Sequence, residues 1–300
     1  MTPYNLSPKT FLAMRQLLLR GLLSLTVAAT AIDSAAQSNQ SLATQAAQLC
    51  QAQSLDEAIV MSQAALKDPK ESLMAYTWYV YGFVCKEIYK TRESNLRSST
   101  MRKEAISAFL EAENKQATSE ISTVAPLRYL ITTLHNDALM CANDFQIINE
   151  MEPDSLFEQY RVLAERTALH TKEQIKDSEI QFLKTKGQRY FELWNNDPAF
   201  DYCVDMAIKS YSTALEKAPI DCISVYNIGV AYYDQAVFQA QMEGLNLTEM
   251  TRVDIARSYF SKAIELCPED AMIQAAFKLT NTPAHTEQLT QKKLSLKRNR

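Results

Sequence analysis

One pattern recurs along this chain and restricts its fold more than any other: alanine, an aromatic residue four positions on, and alanine three further. It occurs as Ala105/Phe109/Ala112, Ala207/Tyr211/Ala214 and Ala256/Phe260/Ala263, and the last two copies are each followed by a proline, Pro219 and Pro268. Spacings of four and three mark one face of an α-helix. Upstream of each triplet lies a second helical segment with a glycine in the same register: Trp78-Tyr81-Gly82, Leu183-Lys186-Gly187-Tyr190 and Val225-Ile228-Gly229-Tyr232. A helical glycine costs about 1 kcal/mol against alanine. A chain with only five glycines in 300 residues places three of them there for a reason, and close helix approach is the natural one. The small residues of the second helix are expected to sit against the glycine, with the aromatic filling the gap to the next hairpin.

These residues resemble the tetratricopeptide repeat, a helix-turn-helix unit whose consensus carries a large apolar residue, Leu-Gly, Tyr, then Ala, Phe, Ala and Pro. The copy closest to the consensus runs from Tyr226, Ile228, Gly229 and Tyr232 to Ala256, Phe260, Ala263 and Pro268. The chain departs from the family in length. The first alanine follows the glycine by 23, 20 and 27 residues, against about twelve in the family. The added residues, such as 235–241, keep a helical composition, so lengthened helices with longer turns at one end are expected. Exported bacterial tetratricopeptide proteins with elongated repeats look similar.

The resemblance implies an all-α fold, a solenoid of stacked hairpins closed by a C-terminal capping helix over about 269–279. Residues 37–118 are expected to hold two hairpins, the earlier one marked by Leu42, Ala46 and Leu49, then Ala58, Ser62, Ala65 and Pro69. Residues 119–179 hold a degenerate repeat, read from Cys141, Phe145, Ile148 and Pro153, and a long helix. Residues 154–186 contain no Pro or Gly and form either one helix or two with a turn in 170–179. Residues 180–280 hold the remaining hairpins and the cap.

The N-terminus reads as an export signal. Lys9, Arg15 and Arg20 lead into an apolar run over 21–32, with Ser34, Ala35 and Ala36 beyond it. Cleavage after Ala36 is expected, and Met14 is an alternative start. Twelve helical residues reach about 18 Å, short of the roughly 30 Å of a bilayer core, so no stable membrane span is expected after cleavage. The expected location is periplasmic or secreted, with an uncleaved anchor and a mitochondrial presequence as rivals. Removing 1–36 leaves 28 Lys+Arg against 34 Asp+Glu. Lys292, Lys293, Lys297, Arg298 and Arg300 then concentrate positive charge in the tail of 281–300, read as a frayed end. An acidic body offers no cationic face for nucleic acid.

Chemistry-bearing motifs are scarce. His135, His170 and His285 stand in no metal-ligand spacing, and no phosphate loop or nucleophile elbow occurs. Neither a metal, nor a cofactor, nor catalysis is expected. Six cysteines show no Cys-x-x-Cys. In the tetratricopeptide hairpin the first helix starts where the second ends, so the resemblance brings Cys222 and Cys267 to one end and makes them the preferred disulfide. Cys50 and Cys85 are a second, weaker pair, and six buried thiols are the alternative.

In the family the first helices line a groove. Mapped onto this chain, that groove holds Tyr76, Tyr79, Phe83, Lys86, Tyr226, Val230, Tyr233 and Asp234. Tyrosines at such positions imply a non-enzymatic scaffold that binds a protein or peptide partner. The alternative uses are a small-molecule or carbohydrate-binding accessory of the cell envelope, or an enzyme with its chemistry on the added helices. In the opposite structural reading the same tyrosines are core.

Overall fold

The computed structural model describes residues 40–116, 121–245, 247 and 250–281. The expected export signal and basic tail lie outside them, apart from the tail's first residue. Eleven α-helices and no strand occur among the described residues. They pair as α1 (Leu42–Gln51) with α2 (Leu55–Lys67), α3 (Ala75–Ile88) with α4 (Thr100–Lys115), α5 (Val124–Asp144) with α6 (Glu152–Thr167), α7 (Lys172–Asn196) with α8 (Tyr202–Lys217), and α9 (Cys222–Glu243) with α10 (Thr251–Leu266). A final helix, α11 (Ala271–Asn281), covers α10. Helices pack mainly on their chain neighbours, the nearest-neighbour architecture of a solenoid.

The glycines explain the pairing. A Cβ on Gly82 would stand 3.1 Å from the Phe109 ring and 3.2 Å from the Ala105 carbonyl oxygen. On Gly187 it would stand 3.1 Å from the Tyr211 ring, and on Gly229 only 2.8 Å from the Phe260 ring. The expected partners are therefore corrected: at Gly187 and Gly229 the triplet's aromatic, rather than its alanines, lies on the glycine of its own hairpin, and at Gly82 the aromatic does so together with the Ala105 backbone. A flat ring fills the hollow left by a missing Cβ better than a methyl does, and Ala105, Ala112, Ala207, Ala214, Ala256 and Ala263 are buried elsewhere on the same helices. Gly229→Ala is expected to lose up to about 2 kcal/mol, because overpacking of about 1–3 kcal/mol is set against a helix gain of about 1 kcal/mol. Gly187→Ala should be closer to neutral, its nearest contact of 3.1 Å being looser than the 2.8 Å at Gly229. Urea unfolding of both variants checks the order.

The third hairpin differs from expectation. Cys141 belongs to the first helix α5, Phe145 follows that helix, Ile148 is 96% exposed and Pro153 lies in the first turn of α6. The spacing of these four residues thus does not mark a second helix. Proline at that position starts a helix rather than ending one, since its missing N–H has no intrahelical partner there. Nor is 154–186 one helix. Ala168 takes a left-handed conformation (φ 50°) that closes α6, and α7 begins with a capping box between Thr171 and Gln174. The expected boundary at 180 consequently falls inside α7. An alanine in left-handed backbone is strained by about 1–2 kcal/mol, so Ala168→Gly should stabilise the chain by about 0.5–1 kcal/mol once the added unfolded-state entropy is counted. A higher melting temperature in calorimetry is the readout.

Ion pairs and caps tie successive hairpins together. The Glu71 carboxylate, just before α3, accepts from Leu42 N (2.8 Å) and Ala43 N (2.9 Å) at the start of α1. Lys186 on α7 donates to Asp154 on α6 (2.5 Å), and Lys184 donates to Asp221 before α9 (3.0 Å). Residues 235–241 are helical, so α9 is long, as the composition of the added residues implies.

Candidate functional site

Helix α3 carries Tyr76, Tyr79, Phe83 and Lys86 at spacings of three and four, which put them on one face of the helix. Tyr76 is 37% exposed, while the other three are half-buried. Tyr79 and Phe83 stack with centroids 6.3 Å apart, and Lys86 Nζ lies 4.3 Å over the Phe83 ring while paired with Glu87. Tyr79 also meets Phe109 edge-on at 5.7 Å, and burial pushes its hydroxyl pKa up. The inner rim of this face is therefore shared with the core, and only Tyr76 stands largely clear of it.

On α9, Tyr226 and Val230 are half-buried, with the Tyr226 ring tilted on Phe260 at 5.7 Å. Burial raises the Tyr226 pKa, and Asp234 and Asp270 nearby reinforce the rise. Tyr233 is only 8% exposed and packs with Ala236, Val237 and Val253. It is a core residue and is removed from the candidate surface. Asp234 is half-buried and already partnered. Hairpins α5/α6 and α7/α8 stand between the two sets, so the structure holds two patches where the sequence implied one groove.

The mapping missed α5, which has no glycine to set its register. Ile131, Leu134 and Ala138 are buried there at spacings of three and four, and His135 occupies the glycine's place, its ring 4.7 Å from Tyr160 on α6. In each hairpin from the second to the fifth, one residue of the first helix lies against one aromatic ring of the second. The hairpins are tetratricopeptide-like. That register puts Tyr129, 39% exposed, and Met140, 61% exposed, on the α5 face corresponding to Tyr76 and Lys86–Glu87 on α3. Tyr129 lies close enough to Glu87 and Tyr89 for their charges to reinforce the rise that burial causes in its pKa.

No family model and no curated protein matches this sequence. Among solved structures, the crystal structure of YrrB, described as a TPR protein with an unusual peptide-binding site, is similar at 20% identity. The match covers 84% of this chain and 100% of that one at a TM-score of 0.26. A likeness that weak carries no argument, and the assignment of tetratricopeptide-like hairpins stands on the packing of glycine and histidine against the rings.

Around Tyr160 the third hairpin holds two histidines. His135 lies on one side of the ring and His170 on another, with centroids at 4.7 Å and 5.9 Å. His135 Nε2 and His170 Nδ1 have no hydrogen-bond partner. Burial lowers both pKa values, helped by His170 for His135 and by Arg128 for His170. The unfolded groups titrate near 6.5, so the folded chain resists protonation between that value and its own lower pKa. The contribution is intact above about pH 6.5 and lost as pH falls below it. Thermal denaturation at pH 7.5 and pH 5 should show this loss, and His135→Gln should reduce it.

The disulfide Cys222–Cys267 joins the first residue of α9 to the end of α10, with Cα atoms 6.2 Å apart. Cys50 and Cys85 are not bonded. They belong to different clusters: Cys50 lies with Ala46, Leu55 and Ala58, and Cys85 with Ala105 and Phe109. Among the described residues, no group of three His, Cys, Asp or Glu side chains could hold a metal ion, and no helix is long and apolar enough to cross a membrane.

Proposed function

We propose that this chain is a non-enzymatic interaction scaffold that holds a polypeptide partner against the free face of its first helices. The observation that carries the reading is the run of tyrosine, phenylalanine and lysine on α3, continued by Tyr129 on α5, which stays partly exposed at the edge of the hairpin cores, Tyr76 and Tyr129 most of all. Tyrosine supplies apolar contact area and a hydroxyl with few rotamers to freeze, the character of binding hot spots.

The site is proposed to work outside the cytoplasm, after removal of 1–36. The disulfide Cys222–Cys267 supports an oxidising compartment, and the apolar run of 21–32 supports export. Intact-mass measurement of the mature chain from each cell fraction tests that part.

The surface itself is tested at its most exposed positions. A photo-crosslinking amino acid at Tyr76 or Tyr129 should give discrete adducts. The double variant Tyr76→Ala/Tyr129→Ala should lose partner binding at least tenfold with little change in melting temperature. Unchanged binding, or a large loss of stability, would overturn the reading.

A further inference from the structure

The elongated ends of α7 to α10, the part that a minimal repeat lacks, enclose a separate cleft of about 470 Å³. Trp194 and Phe238 line it, their rings meeting edge to face at 6.0 Å, and Tyr202, 41% exposed, stands beside them. Three carboxylates line the same space, Asp201, Asp205 and Glu243, with Arg252 as the one cation among its lining residues.

Hydrogen bonds show which of these groups are committed. Arg252 Nη1 donates to Gln239 Oε1 (2.5 Å), and Gln239 Nε2 donates on to Glu243 Oε1 (3.1 Å). Asp205 accepts one long bond, from Gln235 Nε2 (3.4 Å), and the Asp201 carboxylate accepts none among the described residues. Acceptors are therefore in surplus. One donor is stranded in the opposite sense: Trp194 is 3% exposed and its Nε1 has no partner. A buried N–H left unpaired is unfavourable, and a ligand acceptor that reaches it would offset that cost.

We propose that this cleft binds a lysine or arginine side chain of a partner polypeptide. The cation sits between the aromatic rings and the carboxylates of Asp201 and Asp205, where cation–π and charge-assisted hydrogen bonds act together. A backbone carbonyl of the same segment accepts from Trp194 Nε1. That second requirement separates a peptide from a polyamine, which has no acceptor, and the net charge of the lining separates it from a neutral sugar. The inference goes beyond the scaffold reading, since none of the α3 or α5 face residues lines this cleft. Either site can fail while the other stands.

The test uses the full chain carrying Trp78→Phe, so that Trp194 is its sole tryptophan. A capped pentapeptide with one central arginine should shift Trp194 emission saturably at low salt. Asp201→Asn/Asp205→Asn should weaken the binding at least tenfold with an unchanged circular dichroism spectrum, as should 0.5 M salt in the unmodified chain. A norleucine-centred pentapeptide should not bind. Equal binding of the two peptides, indifference to the asparagine pair, no binding at all, or spermidine binding as tightly as the arginine peptide would each overturn the proposal. Binding that emerges only after Lys292→Gln, Lys293→Gln and Lys297→Gln would assign the cleft to this chain's own tail and remove the external partner.

Discussion

Asp137→Ala is expected to cost about 3–5 kcal/mol, because it strands a buried guanidinium. Arg102, near the start of α4, is 1% exposed. Its Nη1 donates to Asp137 Oδ2 (2.5 Å) and to the Tyr89 hydroxyl (3.1 Å), while Nη2 donates to the Arg97 carbonyl oxygen (2.5 Å). Asp137 comes from α5, so the pair joins the second hairpin to the third where α4 and α5 otherwise touch little. The neutral acceptors cannot offset the desolvated charge once the carboxylate is gone. Arg102→Met/Asp137→Leu, which removes both charges and keeps the volume, should lose much less. Urea unfolding of the single and double variants separates the two effects. A single variant within about 1 kcal/mol of the parent would show that water reaches the guanidinium.

None of that network is visible in the sequence, and the contrast with the glycines shows why. Gly82, Gly187 and Gly229 are legible because a missing Cβ has one use inside a helix, and the aromatic that fills it recurs at fixed phase. Arg102 and Asp137 are 35 residues apart on different hairpins. Their meeting depends on how two stacked units rotate against each other, which no local spacing encodes. His135 was hidden for a related reason. It takes a glycine's place in the register, but a ring in that position carries no composition signal, and the alignment of α5 passed to the coincidental spacing of Cys141, Phe145 and Ile148.

The candidate surface was legible in the same partial way. A first-helix face can be listed from the register, which is how Tyr76, Tyr79, Phe83 and Lys86 come out together. Register does not say which of its residues another element covers. Tyr233 lies on that face of α9, yet Leu247, just beyond the end of the helix, is buried in the same cluster. The acidic cleft around Trp194 escaped for the opposite reason. It is built from the lengthened ends of four helices, the part of the chain that the repeat consensus does not describe.

Reducing Cys222–Cys267 is the second large effect, about 4 kcal/mol by the chain-entropy relation for a loop closed across 45 positions. That loop is the whole of α9 and α10, so the loss should be local. In a stack where each hairpin rests on its neighbours, amide exchange should quicken in α9 to α11 first, while α3 to α6 keep their protection. Thiol chemistry offers an independent check. Burial pushes the Cys50 and Cys141 thiols up to about 11 and Cys85 to about 12, and raises Cys203 as well. All four thus stay protonated and shielded at pH 8, where only the thiolate reacts. Mild reduction followed by alkylation at that pH should label Cys222 and Cys267 alone. Labelling of the other four at the same rate would mean that the hairpin cores open together, and the stack would then be one cooperative unit rather than a series of coupled hairpins.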